Sequence, residues 1–166
     1  MASVPAPESV RAFTDSLPAS YRERFDADAI VEHARLAHER GAAPAIVGHF
    51  SSPTRPGTAL CLVAADRPGL LSMISAAFVL CGLDVIDAEI FTRRAPRGAH
   101  EAVDVFWVRP VDPARRNEPV DGAATAAITR TLVGLLQGRI QPEPPAATSA
   151  PPAATETVVR FLDGQG

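Results

Sequence analysis

The sequence of 166 residues contains no lysine, and it has only two cysteines, one tryptophan and one tyrosine. Because all 16 basic side chains are arginine, the chain has no lysine for Schiff-base chemistry or for a phosphate-binding P-loop. Cys61 and Cys81 are too few for a disulfide framework, and they lie in apolar runs where a thiol packs as a small hydrophobic group. No apolar run reaches the ~18 residues of a transmembrane helix.

The overall composition is that of a globular protein without a basic surface. Hydrophobic residues make up 46% of the chain, which is enough to bury a core. The net charge of −3 argues against a nucleic-acid binder, because such proteins attract phosphates with an excess of basic side chains. Residues 1–8 have neither the basic nor the apolar stretch of a signal peptide. We therefore expect a soluble, cytoplasmic protein with neither a nucleic-acid nor a membrane partner.

The first part of the chain is predicted to lead into a separate folded domain. Residues 1–8 form a proline-containing arm that we expect to be disordered. Residues 9–57 form a lead-in segment that is helical over 9–41, adopts a short strand over 45–50 and ends in a Pro-rich loop. We expect a helix of this segment to pack beside the sheet of the domain that follows.

The clearest helix of the lead-in segment covers residues 26–38. Asp26 is a suitable N-cap, and apolar residues recur at helical spacing. They form a face that consists of Ile30, His33, Ala34 and Ala37. His33 and His38 are five residues apart, so their rings point about 140° apart and cannot share a metal ion. We expect both histidines to be structural.

From residue 58 onward, strand-like and helix-like patterns alternate. The predicted elements are a strand over 58–65, a helix over 70–81, strands over 83–92 and 101–109, a helix over 121–140 and a strand over 155–161. A Pro/Ala-rich linker over 141–154 precedes the last strand. This βαββαβ order predicts an α+β fold, a ferredoxin-like sandwich over residues 58–163 with both helices on one face of the sheet.

Two patterns in this domain predict that it pairs with a second copy. The strand over 58–65 is apolar on both faces, so another layer has to cover the face that the two helices leave open. Ala76 and Val79 lie on the outer face of the helix over 70–81, where they would form an apolar contact surface. We therefore expect a homodimer, or pairing with another domain of the same kind.

The sequence contains no catalytic motif and no set of residues with metal-ligand spacing. Two other functions of ferredoxin-like domains are also disfavoured. An RNA-recognition sheet needs aromatic residues flanked by glycine and basic residues. Residues 103–108 contain two aromatic residues, but no glycine and few basic residues flank them. A metal carrier needs a C-x-x-C pair, and the two cysteines are twenty residues apart. We therefore predict a binding or assembly domain that is not an enzyme and that binds no cofactor.

The loop that follows the first strand of this domain is the best candidate binding site. Gly69 allows a ligand to approach the backbone closely, and Pro68 stiffens the loop. Free amides at a helix N-terminus can bind a carboxylate and Asp66 can bind an ammonium group, which matches the two charged ends of a free amino acid. The residues alone favour a simpler interpretation, in which Asp66 caps the helix and Pro68 and Gly69 only form a turn.

Three segments carry a resemblance to a known family. They read Asp66-Arg67-Pro68-Gly69-Leu70-Leu71, Gly82-Leu83-Asp84-Val85-Ile86-Asp87-Ala88-Glu89-Ile90 and Ala102-Val103-Asp104-Val105-Phe106-Trp107-Val108. Together they resemble ACT domains, which are βαββαβ modules that bind amino acids where two copies meet. They look most like the C-terminal ACT region of the bifunctional PII uridylyltransferase/uridylyl-removing enzymes, and the similarity extends over residues 12–163.

The resemblance implies a regulatory domain that senses an amino acid, which is glutamine in that family, and that acts through ligand-linked dimerisation in nitrogen control. The implied ligand-binding residues are Asp66, Arg67, Pro68, Gly69, Leu70 and Leu71 in the loop, with Asp84, Ile86 and Asp87 of the next strand on the opposite wall. The family often has asparagine at the position of Asp84, and a second carboxylate there would repel the carboxylate of a ligand.

The sequence lacks the nucleotidyltransferase and HD phosphohydrolase motifs of those enzymes and has no second ACT copy, so a regulatory part is expected. Two alternatives stay open. One is a protein–protein assembly module that binds no ligand, because the carboxylate of Asp84 disfavours an amino acid at this site. The other is a fragment excised from a nucleotidyltransferase.

Overall fold

The computed structural model describes residues 3–142 and the backbone of one further strand, Val158–Phe161. This part of the chain contains five α-helices and five β-strands. The helices are α1 (Pro7–Asp15), α2 (Ala19–Arg24), α3 (Ala27–Arg40), α4 (Leu70–Leu80) and α5 (Gly122–Leu136). The strands are β1 (Ala45–Phe50), β2 (Thr58–Ala65), β3 (Leu83–Arg94), β4 (His100–Pro110) and β5 (Val158–Phe161).

The five strands form one sheet in the order β1-β2-β4-β3-β5. The pairs β1–β2, β2–β4 and β4–β3 are antiparallel, whereas β5 runs parallel to β3. The predicted α+β class is therefore confirmed, and the architecture is compatible with a ferredoxin-like fold. β1, which the sequence assigns to the lead-in segment, occupies the edge next to β2, so β5 lies at the other edge of the sheet.

Helices α4 and α5 cover one face of the sheet, as predicted. Helical spacing predicts an apolar stripe of Leu70, Ile74, Ala77, Phe78 and Cys81; the first four are buried in α4, and Cys81, just after the helix, is half-buried. In α5 the same spacing predicts inward positions for Ile128, Leu132, Leu135 and Leu136, and all four are buried. Phe78 meets Phe106 of β4 edge to face with ring centroids 5.0 Å apart, which joins this helical layer to the sheet.

Helices α1 to α3 cover the opposite face, together with Leu17 and Phe25 from the turns between them. Their core is aromatic, and it packs on the valines of β2 and β4. Its largest members are Phe13, Tyr21, Phe25, Phe50, Phe91 and Trp107. The argument that a second copy must cover this face is therefore wrong, because the chain's own N-terminal helices cover it. Pairing with a second copy stays a prediction.

Helix α3 begins at its predicted N-cap and extends two residues beyond the predicted end at residue 38. The Asp26 carboxylate accepts a hydrogen bond of 2.8 Å from the Ala29 amide, which is the expected N-cap. Gly41 ends the helix in a conformation with φ of 50°. His33 is fully buried, and its Nδ1 lies 2.6 Å from the Tyr21 hydroxyl, so its predicted structural role is confirmed.

Strand β3 contains a bulge that the sequence pattern did not reveal. The register shifts between Val85 and Asp87, which leaves Ile86 without an opposite residue on β4. Regular alternation along the predicted strand over 83–92 would place Asp84, Ile86, Ala88 and Ile90 on one face, and the bulge makes this expectation wrong. Ile86 packs with the aromatic core, whereas Ala88 and Ile90 belong to the core under α4 and α5.

The remaining differences concern the ends of elements. Helix α1 begins at Pro7, inside the predicted arm, because a proline in the first turn lacks only an amide that the helix leaves unpaired. Of the predicted linker and last strand, residues 143–157 lie outside the described residues. No helix in the described part of the chain is long and apolar enough to span a membrane.

Candidate functional site

The loop after β2 turns sharply at Gly69. Residues 66–69 are exposed, and the Asp66 amide donates a hydrogen bond of 3.0 Å to the carbonyl oxygen of His100. Gly69 has a φ of 80°, a left-handed conformation that strains any residue with a Cβ atom. No atom of the described residues lies within 4 Å of where such a Cβ would be. The space above the turn is therefore open.

The N-terminus of α4 has no side-chain cap among the described residues. Gly69 itself is the N-cap, and the Leu70 amide donates to the carbonyl oxygen of Arg67 at 3.2 Å. The simpler interpretation, in which Asp66 caps this helix, is therefore wrong. Backbone amides in the first turn carry partial positive charge and attract a carboxylate. Asp66 lies beside them and is exposed.

Arg67 holds the loop against α5. Its Nη1 donates a hydrogen bond of 2.9 Å to the carbonyl oxygen of Leu136, the last residue of that helix. A guanidinium is favourable there, because the C-terminal carbonyls of a helix carry partial negative charge. Arg67, predicted as a ligand residue, thus already has a structural contact.

The two leucines of the predicted site support the loop from below. Leu70 is buried in the core under α4, and Leu71 is half-buried against it. Their side chains pack on the protein, so a ligand above the loop would meet mainly their backbone amides.

The three predicted residues of the opposite wall lie on β3. Asp84 faces Arg109 of β4, with 3.6 Å between Oδ2 and Nη2. Asp87 accepts a hydrogen bond of 2.8 Å from Nη1 of Arg55. Ile86 is half-buried at the bulge. Both carboxylates therefore already face a positive charge, which weakens the repulsion expected at Asp84.

The structure does not bring the two predicted groups of site residues together within one chain. Ala65, just before the loop, pairs with Glu101 of β4, whereas Asp84 pairs with Arg109. Those two β4 residues are eight positions apart, which corresponds to about 27 Å along a strand. A single amino acid can contact both groups only if two copies of the domain contribute one group each.

Arg55 is an important residue that the sequence analysis missed. It lies in the loop between β1 and β2, with its guanidinium 4.0 Å from the centre of the Trp107 ring. It also pairs with Asp87 and, at 3.1 Å, with the buried Glu89. The sequence gives no signal for these contacts, because Arg55 lies more than 30 positions from either carboxylate in a loop without a motif.

Asp104 is a second residue that the sequence analysis did not single out. It lies on β4 between Leu62 and Ile90 of the neighbouring strands and is almost fully buried. Burial raises the pKa of Asp104 from 3.8 to about 7; a backbone hydrogen bond from Phe91 opposes this and the charge of Asp66 adds to it. Asp104 is therefore a buried carboxyl group whose pKa lies near neutrality.

Three curated relatives show what the chain is similar to. It is 35% identical over 134 residues to a bifunctional uridylyltransferase/uridylyl-removing enzyme of Gluconobacter oxydans. It is 30% identical over 128 residues to the enzyme of the same name from Phenylobacterium zucineum, and 30% identical over 125 residues to that from Azospirillum brasilense. The chain is homologous to one segment of these enzymes.

The matched segment is most of this chain but a small part of each relative. The alignments cover 79%, 76% and 74% of the chain, and 14%, 13% and 13% of the respective enzymes. No protein-family model and no solved structure matches the chain. The resemblance to these enzymes is therefore confirmed for a segment, and the activities in their name belong to proteins about seven times longer than the matched part.

Proposed function

We propose that this chain is an amino-acid-sensing regulatory domain of the ACT type, with glutamine as its ligand, and that ligand binding is linked to dimerisation. The observation that carries the proposal is the start of α4, where uncapped amides, an open left-handed glycine and an exposed carboxylate lie side by side. The homology to a segment of bifunctional uridylyltransferase/uridylyl-removing enzymes supports the same role.

In this proposal the loop binds the backbone groups of the ligand. The α-carboxylate accepts hydrogen bonds from amides in the first turn of α4, near Leu71, and the absence of a Cβ atom at Gly69 makes room for it. The α-ammonium group pairs with the carboxylate of Asp66. The side chain of the ligand, which distinguishes glutamine from other amino acids, then points away from α4.

A second copy would supply the other wall in this proposal. Asp87 and Asp84 lie about 20 and 27 Å from the loop of their own chain along the strands, so they can complete only the site of a partner. The outer surface of α4 carries Val79 and Leu80, which are 73% and 54% exposed. Such exposed apolar side chains are typical of a surface that another protein covers.

Glutamine binding is tested by thermal unfolding of the purified chain in the presence of each of the twenty amino acids. A ligand that binds only the folded state at a hundredfold excess over its Kd stabilises it by about 2.7 kcal/mol. We expect glutamine to raise the melting temperature selectively, Asp66→Asn to abolish this increase, and the matched exposed variant Asp28→Asn to retain it. A melting temperature that no amino acid changes would contradict the proposal.

The link to dimerisation is tested by sedimentation velocity with and without glutamine. We expect the dimer fraction to increase with glutamine, and Val79→Ser to reduce it at the same glutamine concentration. Ser75→Ala, on the same helix, is the control that should leave the dimer fraction unchanged. A chain that remains monomeric at high concentration with saturating glutamine would contradict this part of the proposal.

A protein–protein assembly module without a ligand is the second candidate function. It is favoured by the ion pairs of the second wall, where Arg109 and Arg55 already balance the charges of Asp84 and Asp87. Such a wall gains little from the ammonium group of a ligand. The same two experiments separate the candidates, because an assembly module would dimerise without glutamine and would show no change in melting temperature.

A further inference from the structure

A cleft of about 830 Å³ lies on the side of the sheet that α1 to α3 cover, at the same end of the sheet as the loop of the candidate site. It is bounded by α1, by the end of α3 and by the hairpin that joins β3 and β4. Its volume lies within the range of small-molecule sites. The proposed amino-acid site uses none of the residues that line it.

The cleft is strongly basic. Its positive or titratable lining side chains are His38, Arg40, Arg93, Arg94 and Arg97. Glu101 is the one carboxylate among the lining residues. The cleft therefore has more positive charge than negative charge, and it sits on a chain whose net charge is −3.

Two of these arginines are fixed by Glu101 at the bottom of the cleft. Glu101 is 2% exposed, and its two carboxylate oxygens accept hydrogen bonds from Arg40 Nε at 2.8 Å and Arg93 Nε at 2.7 Å. Arg93 also donates to the hydroxyl of Ser16 at 3.1 Å. Since two guanidinium groups share one carboxylate, this buried trio carries a net positive charge.

Two further arginines lie at the rim and are free to bind a ligand. Arg94 and Arg97 are exposed on the β3–β4 hairpin, and within the part of the chain that the structure describes neither makes an ion pair. Guanidinium groups bind phosphate and carboxylate through paired hydrogen bonds. The remaining lining is partly apolar, with Ala12, Phe13, Ala34 and Ala37 along the helices.

We propose that this cleft binds a small organic anion, with a phosphate or carboxylate head group between the rim arginines and an apolar body against α1 and α3. The head group would neutralise the charge of Arg94 and Arg97, which no carboxylate of the described residues balances. The apolar body would cover the side chains of Ala12 and Ala37, which a purely inorganic anion leaves uncovered.

Isothermal titration of the 166-residue chain with four probes tests both parts of the proposal. Phenyl phosphate has the anionic head and the apolar body, benzoate exchanges phosphate for carboxylate, pyrophosphate lacks the body and phenol lacks the charge. We expect phenyl phosphate or benzoate to bind at least tenfold more tightly than phenol and than pyrophosphate, and the tighter of the two identifies the head group. The proposal is wrong if neither binds at millimolar concentration.

A pair of double variants tests whether the cleft is the site. We expect Arg94→Gln with Arg97→Gln to weaken binding of the better probe at least tenfold. The control is Arg116→Gln with Arg139→Gln, which removes two exposed charges outside the cleft and should change affinity less than twofold. Equal weakening by both pairs would show a nonspecific charge effect and overturn the proposal.

Glutamine titration of the same variants separates this site from the proposed amino-acid site. We expect the rim variant to bind glutamine as the unmodified chain does, and Asp66→Asn to bind the aromatic anion normally. Competition between the aromatic anion and saturating glutamine in the unmodified chain would place the anion at the α4 loop and overturn the assignment to the cleft.

Discussion

Asp104 and His33 give the protein two buried titratable groups with opposite effects on its stability. The folded state raises the pKa of Asp104 from 3.8 to about 7 through burial, so between these values the folded protein keeps a proton that the unfolded chain has lost. The contribution of Asp104 therefore makes the protein less stable as pH rises through this window, by up to about 1.4 kcal/mol per pH unit.

His33 acts in the other direction. Burial lowers its pKa from 6.5 to about 3, and the charge of Asp26 only partly opposes this. Between these two values the unfolded chain binds a proton that the folded protein excludes, so stability rises with pH. The contributions of the two groups therefore cancel between pH 3.8 and 6.5.

Single variants should reveal each contribution. We expect the free energy of unfolding to rise with pH over this window in Asp104→Asn and to fall in His33→Gln, relative to the unmodified chain. Urea unfolding at pH 4.5, 5.5 and 6.5, followed by circular dichroism, measures both slopes. Glu23→Gln, an exposed carboxylate variant, should keep the original profile. The same profile in all four proteins would contradict the assignment.

Some single residues had roles that the sequence could predict, and others had partners that it could not. Gly69 could be assigned to the turn because the left-handed conformation strongly favours glycine, and Asp26 could be assigned as an N-cap from local spacing. The partners of Asp84 and Asp87 could not be assigned, because each ion pair joins residues that are distant in sequence. Asp84 meets Arg109 through the pairing of β3 with β4, and Asp87 meets Arg55 of a loop without a motif, so no pattern near either aspartate identifies its partner.

Gly69 also determines how α4 begins. We expect Gly69→Ala to lower the free energy of unfolding by about 1–2 kcal/mol, because alanine is strained at a φ of 80° even where there is space for its methyl group. Gly122→Ala is the control. It lies at the start of α5 with an ordinary φ and open space among the described residues, so alanine should be neutral or stabilising. Urea titration measures both changes.

Because Arg67 donates a hydrogen bond to the end of α5, a change at Arg67 should affect the stability of that helix. We expect Arg67→Gln to destabilise the protein by about 0.5–1.5 kcal/mol, because the carbonyl of Leu136 loses a charged donor. Hydrogen exchange should be faster at the C-terminal end of α5 and unchanged in α3. Arg139→Gln, which removes a nearby exposed arginine, is the control. Equal exchange in both variants would contradict a specific anchoring role.

Helices and strands were predictable where the hydrophobic period was clean. The strands over 45–50 and 58–65 have the predicted bounds, and the apolar stripe of α4 is buried as expected. The bulge at Ile86 was not predictable, because one extra residue in a strand leaves the apolar character of its neighbours unchanged. The sequence also did not predict which edge of the sheet β5 occupies, since the pairing partner of a strand depends on the whole sheet.

At the scale of the whole molecule, the N-terminal helices are a structural layer of the sheet. Deleting residues 1–41 would uncover the face that includes Val63, Val103 and Trp107. We expect this truncated chain to aggregate and to lose its cooperative thermal transition, whereas deleting residues 1–5 should leave both properties unchanged. Size-exclusion chromatography and calorimetry measure the outcome. A soluble and cooperatively folding truncated chain would show that the helices are dispensable.

The same layer explains the main error at this scale. Buried strands that are apolar on both faces show that two layers cover a sheet, but they do not show which chain supplies the second layer. The helical pattern over residues 9–41 was recognised and a helix of it was expected beside the sheet, but these helices were not expected to form the layer over its open face. Tyr21 and Phe25 meet Phe91 only because the β3–β4 hairpin folds back under α2, a contact that spans some 70 positions of sequence.

The contacts of Trp107 have a practical consequence. It is the only tryptophan in the chain, and both of its polar partners come from the loop between β1 and β2: Ser52 accepts a hydrogen bond of 3.1 Å from the indole nitrogen, and Arg55 lies over the ring. Because Arg55 also binds Asp87, any event that pulls on that carboxylate changes the surroundings of the indole. The intrinsic fluorescence of this protein is therefore a label-free optical reporter of that loop.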